Sequence, residues 1–261
     1  MVEQVGERTG AQAVERAIEV IDCFGNDEPE LSLSQLARRA GLPVSTTHRI
    51  TQALVRGGIL ERSGGDRYRV GQRLAGLAGP VLSRLGVDEA APWLHKLAEG
   101  LRLTASVGVR GDGELLTVFS VRPSLDFHPT QVPGQREPLH ASAMGKALLA
   151  FAPGEIRANV ERLGRLPRFT DRTHTSPDEL ITELEQIQRR GFAVCDGERR
   201  DGIRAVAVPL FGGRRQLWGA LGVQERAARL AEDRLAQIAP ALRHIGAEIG
   251  HRVRLSQASH P

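Results

Sequence analysis

The stretch Leu31-Ser32-Leu33-Ser34-Gln35-Leu36-Ala37-Arg38-Arg39-Ala40-Gly41-Leu42-Pro43-Val44-Ser45-Thr46-Thr47-His48-Arg49-Ile50 holds two helix starts separated by a break. Ser32 with Gln35 three residues on forms a capping box, in which hydroxyl and amide each satisfy a backbone N–H that the helix start leaves unpaired. Leu33, Leu36, Ala37 and Ala40 follow at helical spacing. Gly41-Leu42-Pro43 breaks that helix, and a third is predicted over 44–56, burying Val44, Thr47, Ile50 and Leu54 and ending at Gly57-Gly58. Upstream, Val14, Ala17, Ile18, Ile21 and Phe24 predict a first helix stopped by Gly25. Downstream, extended pieces at 59–62 and 67–70 flank Ser63-Gly64-Gly65-Asp66, good hairpin-turn chemistry. Helix, capped helix, tight turn, helix, basic hairpin is the order of a winged helix-turn-helix.

That order explains the residue types. Ser45, Arg49 and Gln52 fall at i, i+4 and i+7, on one stripe of the third helix. Hydroxyls at a helix start suit phosphate oxygens, Arg can read guanine with two hydrogen bonds and Gln can read adenine. The candidate DNA-contacting set is Ser45, Thr46, Thr47, His48, Arg49 and Gln52, with Arg67 and Arg69 on the hairpin. Charge agrees: residues 1–30 carry eight acids and two arginines, whereas 31–70 carry seven arginines against Glu61 and Asp66. Over the whole chain the net charge is only +4, so distribution rather than total points to a polyanion.

The remainder reads differently. Leu74, Leu77, Val81 and Leu85, interrupted by Gly76, Gly79 and Pro80, predict a kinked linking helix. Pro92 is expected in the first turn of a helix bearing Trp93, Leu94 and Leu97 and stopped by Gly100. Strands are predicted at 104–110 and 115–121 around Gly111-Asp112-Gly113, a loop at 127–137, and a small-residue helix from His140-Ala141-Ser142-Ala143-Met144-Gly145 to Phe151. Ser176, Pro177 and Glu179 open another helix that ends at Arg189-Arg190-Gly191. Strands at 192–196, 203–211 and 217–224 follow, the last two joined at Gly212-Gly213, and Leu235, Ile238, Leu242, Ile245 and Ile249 make a closing helix. The expected architecture is an all-α winged helix-turn-helix N-terminal domain (10–71), a linker helix (72–87) and an α+β C-terminal domain (88–252).

Several pieces together resemble the IclR family of transcriptional regulators. Ala13-Val14-Glu15-Arg16-Ala17, the 31–50 stretch quoted above and the wing Arg67-Tyr68-Arg69-Val70-Gly71 carry the likeness in the first half. Pro138-Leu139-His140-Ala141, Gly145-Lys146-Ala147-Leu148-Leu149-Ala150, Phe169-Thr170 with Thr173, Arg190-Gly191-Phe192-Ala193, and Glu198 with Gly202-Ile203-Arg204-Ala205-Val206-Ala207 carry it in the second. The likeness spans about residues 11–250 in the family's order. It implies a GAF-like effector domain, a homodimer or homotetramer, a roughly palindromic double-stranded DNA operator, and repressor-type control by a small metabolite, commonly an organic or aromatic acid. Carried over residue by residue, the effector lining would be Ala143, Met144, Gly145, Cys195, Asp196, Ala205, Gly222 and Gln224. Ser142 joins them as a cap or effector contact. Small residues at this helix start favour a carboxylate, and the apolar surroundings favour an aromatic or branched body.

Other classes fit less well. His140 and Ser142 with Asp196 or Glu198 suggest a hydrolase set, yet G-x-S-x-G is absent and i, i+2 residues do not face each other on a helix. No catalytic residue is assigned. His128, His140, His174 and Cys195 lack metal-ligand spacing, so no metal or cofactor is expected. Gly145-Lys146 lacks the glycines of a phosphate loop, and Lys146 is expected on a solvated helix face. A DNA-binding oligomer without a ligand is the second reading. Two unpatterned cysteines, a polar N-terminal segment and no long apolar run predict a cytoplasmic protein with no membrane span.

Overall fold

The computed structural model describes residues 4–24, 28–111, 113–123, 133–212 and 215–258. It divides into two units, Met1–Val81 and Leu82–Pro261. The first holds α1 (Gln4–Asp22), β1 (Leu31–Ser32), α2 (Leu33–Arg39), α3 (Val44–Arg56), β2 (Leu60–Ser63) and β3 (Arg67–Val70). Both arms of the capping box are made: Gln35 N–H donates to Ser32 Oγ at 3.3 Å, and Ser32 N–H to Gln35 Oε1 at 2.8 Å. The core gathers Val20, Cys23, Leu31, Leu36, Leu60 and Tyr68. Strand alternation buries Tyr68 and turns Arg67 and Arg69 outward. The two-residue β1, not expected, pairs with β3 and makes the wing a three-stranded sheet in the order β1-β3-β2.

Two expectations on helix faces need correction. In α1, Val14 and Ile18 are exposed, and Val20, with Cys23 just past the helix end, takes the buried side. In α3, Val44 is exposed and Thr51 is buried beside Thr47. Pro43 is the N-cap, so Val44 opens the helix where few neighbours surround it. The expected stop at Gly25, the hairpin residue Asp112, residues 127–132 of the expected 127–137 loop (His128 among them) and Gly213 lie outside the described residues. The boundary between the units falls within α4 (Arg73–Arg84), which runs on through Pro80.

The second unit continues with α5 (Val87–Leu101), β4 (Thr104–Gly111), β5 (Glu114–Val121), β6 (Arg136–Pro138), a 3-10 turn at Leu139–Ala141, α6 (Ala143–Phe151), α7 (Ile156–Glu161), α8 (Pro177–Arg190), β7 (Ala193–Asp196), β8 (Ile203–Phe211), β9 (Leu217–Arg226) and α9 (Glu232–Ala258). The strands form one antiparallel sheet in the order β6-β5-β4-β9-β8-β7. One face packs Val107, Val206, Val208, Leu221 and Val223 against Ala90, Leu94 and Leu97 of α5 and Ile238, Leu242 and Ile249 of α9. The other packs Cys195, Ala205, Ala207 and Ala220 against Met144, Ala147 and Leu148 of α6 and Leu180, Leu184 and Ile187 of α8. With both faces covered, the central strands are near-continuous apolar runs rather than alternating ones. Pro92 lies inside α5 rather than in its first turn, because the helix already starts at Val87. The end of the expected loop is strand β6, paired with β5.

Candidate functional site

On α3, Ser45, His48 and Arg49 are exposed and Thr46 is half-buried. Thr47 is fully buried, and its hydroxyl donates to Pro43 O at 3.0 Å. It therefore faces the core and leaves the DNA-facing set. Gln52 is half-buried, with its amide 3.5 Å from Tyr68 Oη, linking α3 to the wing. Arg67 is exposed, whereas Arg69 pairs with Glu61 at 3.3 Å. The Glu61 carboxylate also accepts from Gln72 N–H, and these contacts hold it below the usual carboxylate range, the backbone bond foremost.

In the second unit the pairing register brings Cys195, Ala205 and Gln224 into one row across β7, β8 and β9. That row, with Ser142 and Ala143 at the start of α6, lines a cavity of about 40 Å³. Gln135, Glu137, Arg199, Arg200 and Ile203 complete the lining. Ser142, Ala143, Cys195, Ala205 and Gln224 are thus brought together around one cavity.

The others are placed elsewhere. Met144 is buried against the strand: a Cβ on Gly222 would lie 2.8 Å from Met144 Cγ, so the space Gly222 leaves is filled rather than open. Gly145 sits against the preceding turn, where a Cβ would come within 2.6 Å of Leu139 Cα and Ser142 Oγ. Asp196 points away from the row, because strand side chains alternate, and accepts from Arg204 at 2.8 Å and Arg172 at 2.7 Å. The Arg204 bond leads in keeping its carboxyl below the ordinary value.

In the lining, the Ser142 hydroxyl and the Cys195 thiol are engaged. Ser142 Oγ accepts from Gly145 N–H at 3.2 Å and donates to Pro138 O at 3.0 Å. Its hydroxyl is a helix cap, leaving the Ala143 and Met144 amides as first-turn donors. Cys195 Sγ points at Ala141 O, 3.3 Å away, and burial pushes its thiol up to about 12, so it is an unreactive, neutral group. His140 lies 3.0 Å from Pro167 O, and burial lowers its pKa, so neutral Nε2–H is the donor. Neither His140 nor Ser142 is oriented toward the other as base and nucleophile.

The largest departure from expectation is Lys146. It is fully buried, not solvated. Its ammonium donates to Glu183 of α8 at 2.6 Å and to both oxygens of Glu198 at 2.7 and 2.8 Å. Burial opposes its charge, but Glu198 and Glu183 outweigh that and raise its pKa. Burial raises the Glu198 carboxyl; Lys146 offsets part of this, and Glu183 adds repulsion, since one ammonium cannot neutralise two carboxylates. His174, Glu183 and Glu198 hold their ligand atoms within 4.8 Å of one another, yet the cation position there is filled by the ammonium. The signal available in the sequence was α6 itself: a helix with apolar or small residues all round is a buried helix, and a lysine in it needs buried partners.

Residues 13–64 match the family described as IclR helix-turn-helix domain, and residues 80–251 match Bacterial transcriptional regulator IclR C-terminal. The chain belongs to the IclR family. It is 31% identical over 236 residues to the HTH-type transcriptional regulator BhcR of Paracoccus denitrificans, covering 89% of this chain and 84% of that protein. It is 27% identical over 231 residues to the transcriptional repressor IclR of Escherichia coli, covering 87% and 84%. Among solved structures, an IclR homolog of Microbacterium hydrocarbonoxydans complexed with 4-hydroxybenzoate superposes with a TM-score of 0.81 at 27% identity, covering 93% of this chain and 99% of that one. The family members are transcriptional regulators rather than enzymes, and this IclR-family chain has the helix-turn-helix and α+β effector-type domains of a regulator. Among the described residues no helix is long and apolar enough to cross a membrane.

Proposed function

We propose that this IclR-family regulator reads its operator with α3 and the wing, and that a compact carboxylate bound in the second unit modulates that affinity. The observation that carries the first part is the exposed face of α3, where Ser45, His48 and Arg49 stand free of the core. In this reading Thr46 and Gln52 flank that face, Arg67 and Arg69 reach phosphates, and the DNA-binding, linking and effector segments are 10–71, 72–87 and 88–252. A cytoplasmic homodimer, alone or paired into a tetramer, binds a roughly palindromic site because two-fold symmetry doubles the contacts of a small module.

Three features support a carboxylate: the arginines at positions 199 and 200 in the cavity lining, the amides at the start of α6, and the 4-hydroxybenzoate held by the Microbacterium homolog. Size modifies the expectation of an aromatic body. A cavity of 40 Å³ is far below the roughly 300–1,000 Å³ of pockets for drug-sized ligands, so in this reading the acid is small or the wall moves to admit an aromatic one. Met144 over Gly222 and the small cavity favour the second reading, a DNA-binding oligomer without a ligand. The deciding experiment retains genomic fragments on the purified protein, then repeats the binding and a thermal melt across a panel of acids and their amides. Retention of a palindromic fragment, with acids raising Tm and changing retention, supports the proposal. Retention unaffected by every acid, with no change in Tm, favours the ligand-free reading.

A further inference from the structure

Arg199 and Arg200 ride on the turn between β7 and β8 rather than on a helix or strand. Its base is closed by Gly197 N–H donating to Ile203 O at 2.9 Å and by Ile203 N–H donating to Arg200 O at 3.2 Å. Two hydroxyls hold its carbonyls: Thr170 Oγ1 donates to Gly197 O at 2.7 Å, and Thr173 Oγ1 to Glu198 O at 2.6 Å. The Arg199 guanidinium lies 4.2 Å over the Phe169 ring. Glu198 is the turn's buried side chain, and besides Lys146 it accepts from Asp196 N–H at 3.3 Å. One carboxylate thus ties the end of β7 and the turn to the middle of α6.

A buried ion pair is a poor way to gain stability, because apolar residues of similar volume hold a fold as well or better. What it supplies is a fixed geometry: charge-assisted hydrogen bonds from Lys146 to both Glu198 oxygens leave the turn little freedom. Immediately beyond Glu198 come the two arginines of the cavity wall. We propose that Glu198, anchored by Lys146, is a positioning residue for effector binding: it fixes the turn carrying Arg199 and Arg200 along the cavity and thereby sets affinity for a carboxylate. This rests on the reading of the cavity as the effector site.

The second arm of Lys146 provides the control. Glu183 bonds the same ammonium but lies on α8, so its loss perturbs the buried cluster without cutting the tie to the turn. The test uses the full chain, with hydrogen exchange of residues 197–203 in the ligand-free protein and calorimetry of propionate, propionamide, 4-hydroxybenzoate and 4-hydroxybenzamide. Glu198→Gln is expected to speed exchange in the turn about tenfold and to weaken the acids about tenfold while leaving the amides unchanged. Glu183→Gln is expected to leave turn exchange and acid affinity within about twofold of the parent. Equal effects of the two substitutions on turn exchange, or an unchanged turn in Glu198→Gln, overturn the positioning role. If the parent protein binds neither acid, the carboxylate reading falls, and the exchange comparison still upholds or overturns the tie between Glu198 and the turn.

Discussion

Helices α3 and α6 place their polar residues in opposite ways. On α3 the polar residues Ser45, His48 and Arg49 face outward, while Thr47 and Thr51 are buried. On α6 all residues from Ala143 to Ala150 are buried, and the one charge is spent inside on Glu183 and Glu198. The contrast teaches where recognition energy is available. A surface that meets a polymer keeps its donors uncommitted until the partner arrives. A cavity wall must satisfy its polar groups beforehand, since unpaired buried groups are costly, so only a few remain to read a small ligand.

The strongest way to break this contrast is to remove the buried charge. Lys146→Met takes the ammonium away from the buried Glu198 and the half-buried Glu183 and is expected to cost about 3–5 kcal/mol, because breaking one side of a buried pair strands the other. Denaturant titration of the second unit's transition measures it. A loss under about 1 kcal/mol means that the carboxylates find another partner, and α6 is then no more committed than α3.

Close packing of α6 gives the next effect. Gly145→Ala places a methyl against the Leu139 backbone and Ser142 Oγ, and overpacking of this kind costs about 1–3 kcal/mol. Gly64→Ala in the wing, where a Cβ meets nothing within 4 Å, is the matched control and is expected to leave Tm nearly unchanged. Equal shifts for both mean that α6 has room to relax.

Arg49→Ala sharpens the comparison from the other side. Stability is expected to change by less than about 0.5 kcal/mol, since the side chain is exposed. Operator discrimination is expected to fall by about 1–3 kcal/mol, the worth of a bidentate base contact. Gel shifts against the operator and a scrambled fragment read this directly. Unchanged sequence preference removes Arg49 from the contact set.

Local chemistry made much of the fold legible. The capping box at Ser32 and Gln35, the break at Gly41-Leu42-Pro43 and the inner strand at 203–211 each act within a few residues. What stayed hidden was decided by partners distant in sequence. Lys146 meets Glu183 and Glu198, and β1 exists because Leu31 lies opposite Tyr68. The cavity shows the same division. Cys195, Ala205 and Gln224 were reached by likeness and share one row, whereas Arg199 and Arg200 belong to a turn whose position depends on Thr170, Thr173 and Glu198. Asp196 was misplaced by one step of strand alternation, and Met144 and Gly222 by each filling the other's space. Ser176 shows a milder miss: it occupies the N-cap before Pro177 but makes no side-chain cap bond.

The smallest expected effect concerns proton uptake beside α6. His140 is buried, tilted against Phe169 with ring centroids 5.8 Å apart, and its nearby charges include Lys146 and Arg199. Burial foremost lowers its pKa in the folded chain below the ordinary 6.5. Between those two values the unfolded chain holds the proton and the folded chain does not, so stability rises with pH there. The contribution is fully present above 6.5 and is lost as pH falls through 6.5 toward the folded value. One proton bounds the slope at about 1.4 kcal/mol per pH unit. His140→Gln keeps an amide donor for Pro167 O and cannot titrate, so its stability is expected to fall less than the parent's on acidification from about pH 7 to pH 5.5. Parallel curves for parent and variant place the imidazole in a hydrated site, and α6 then meets water as α3 does.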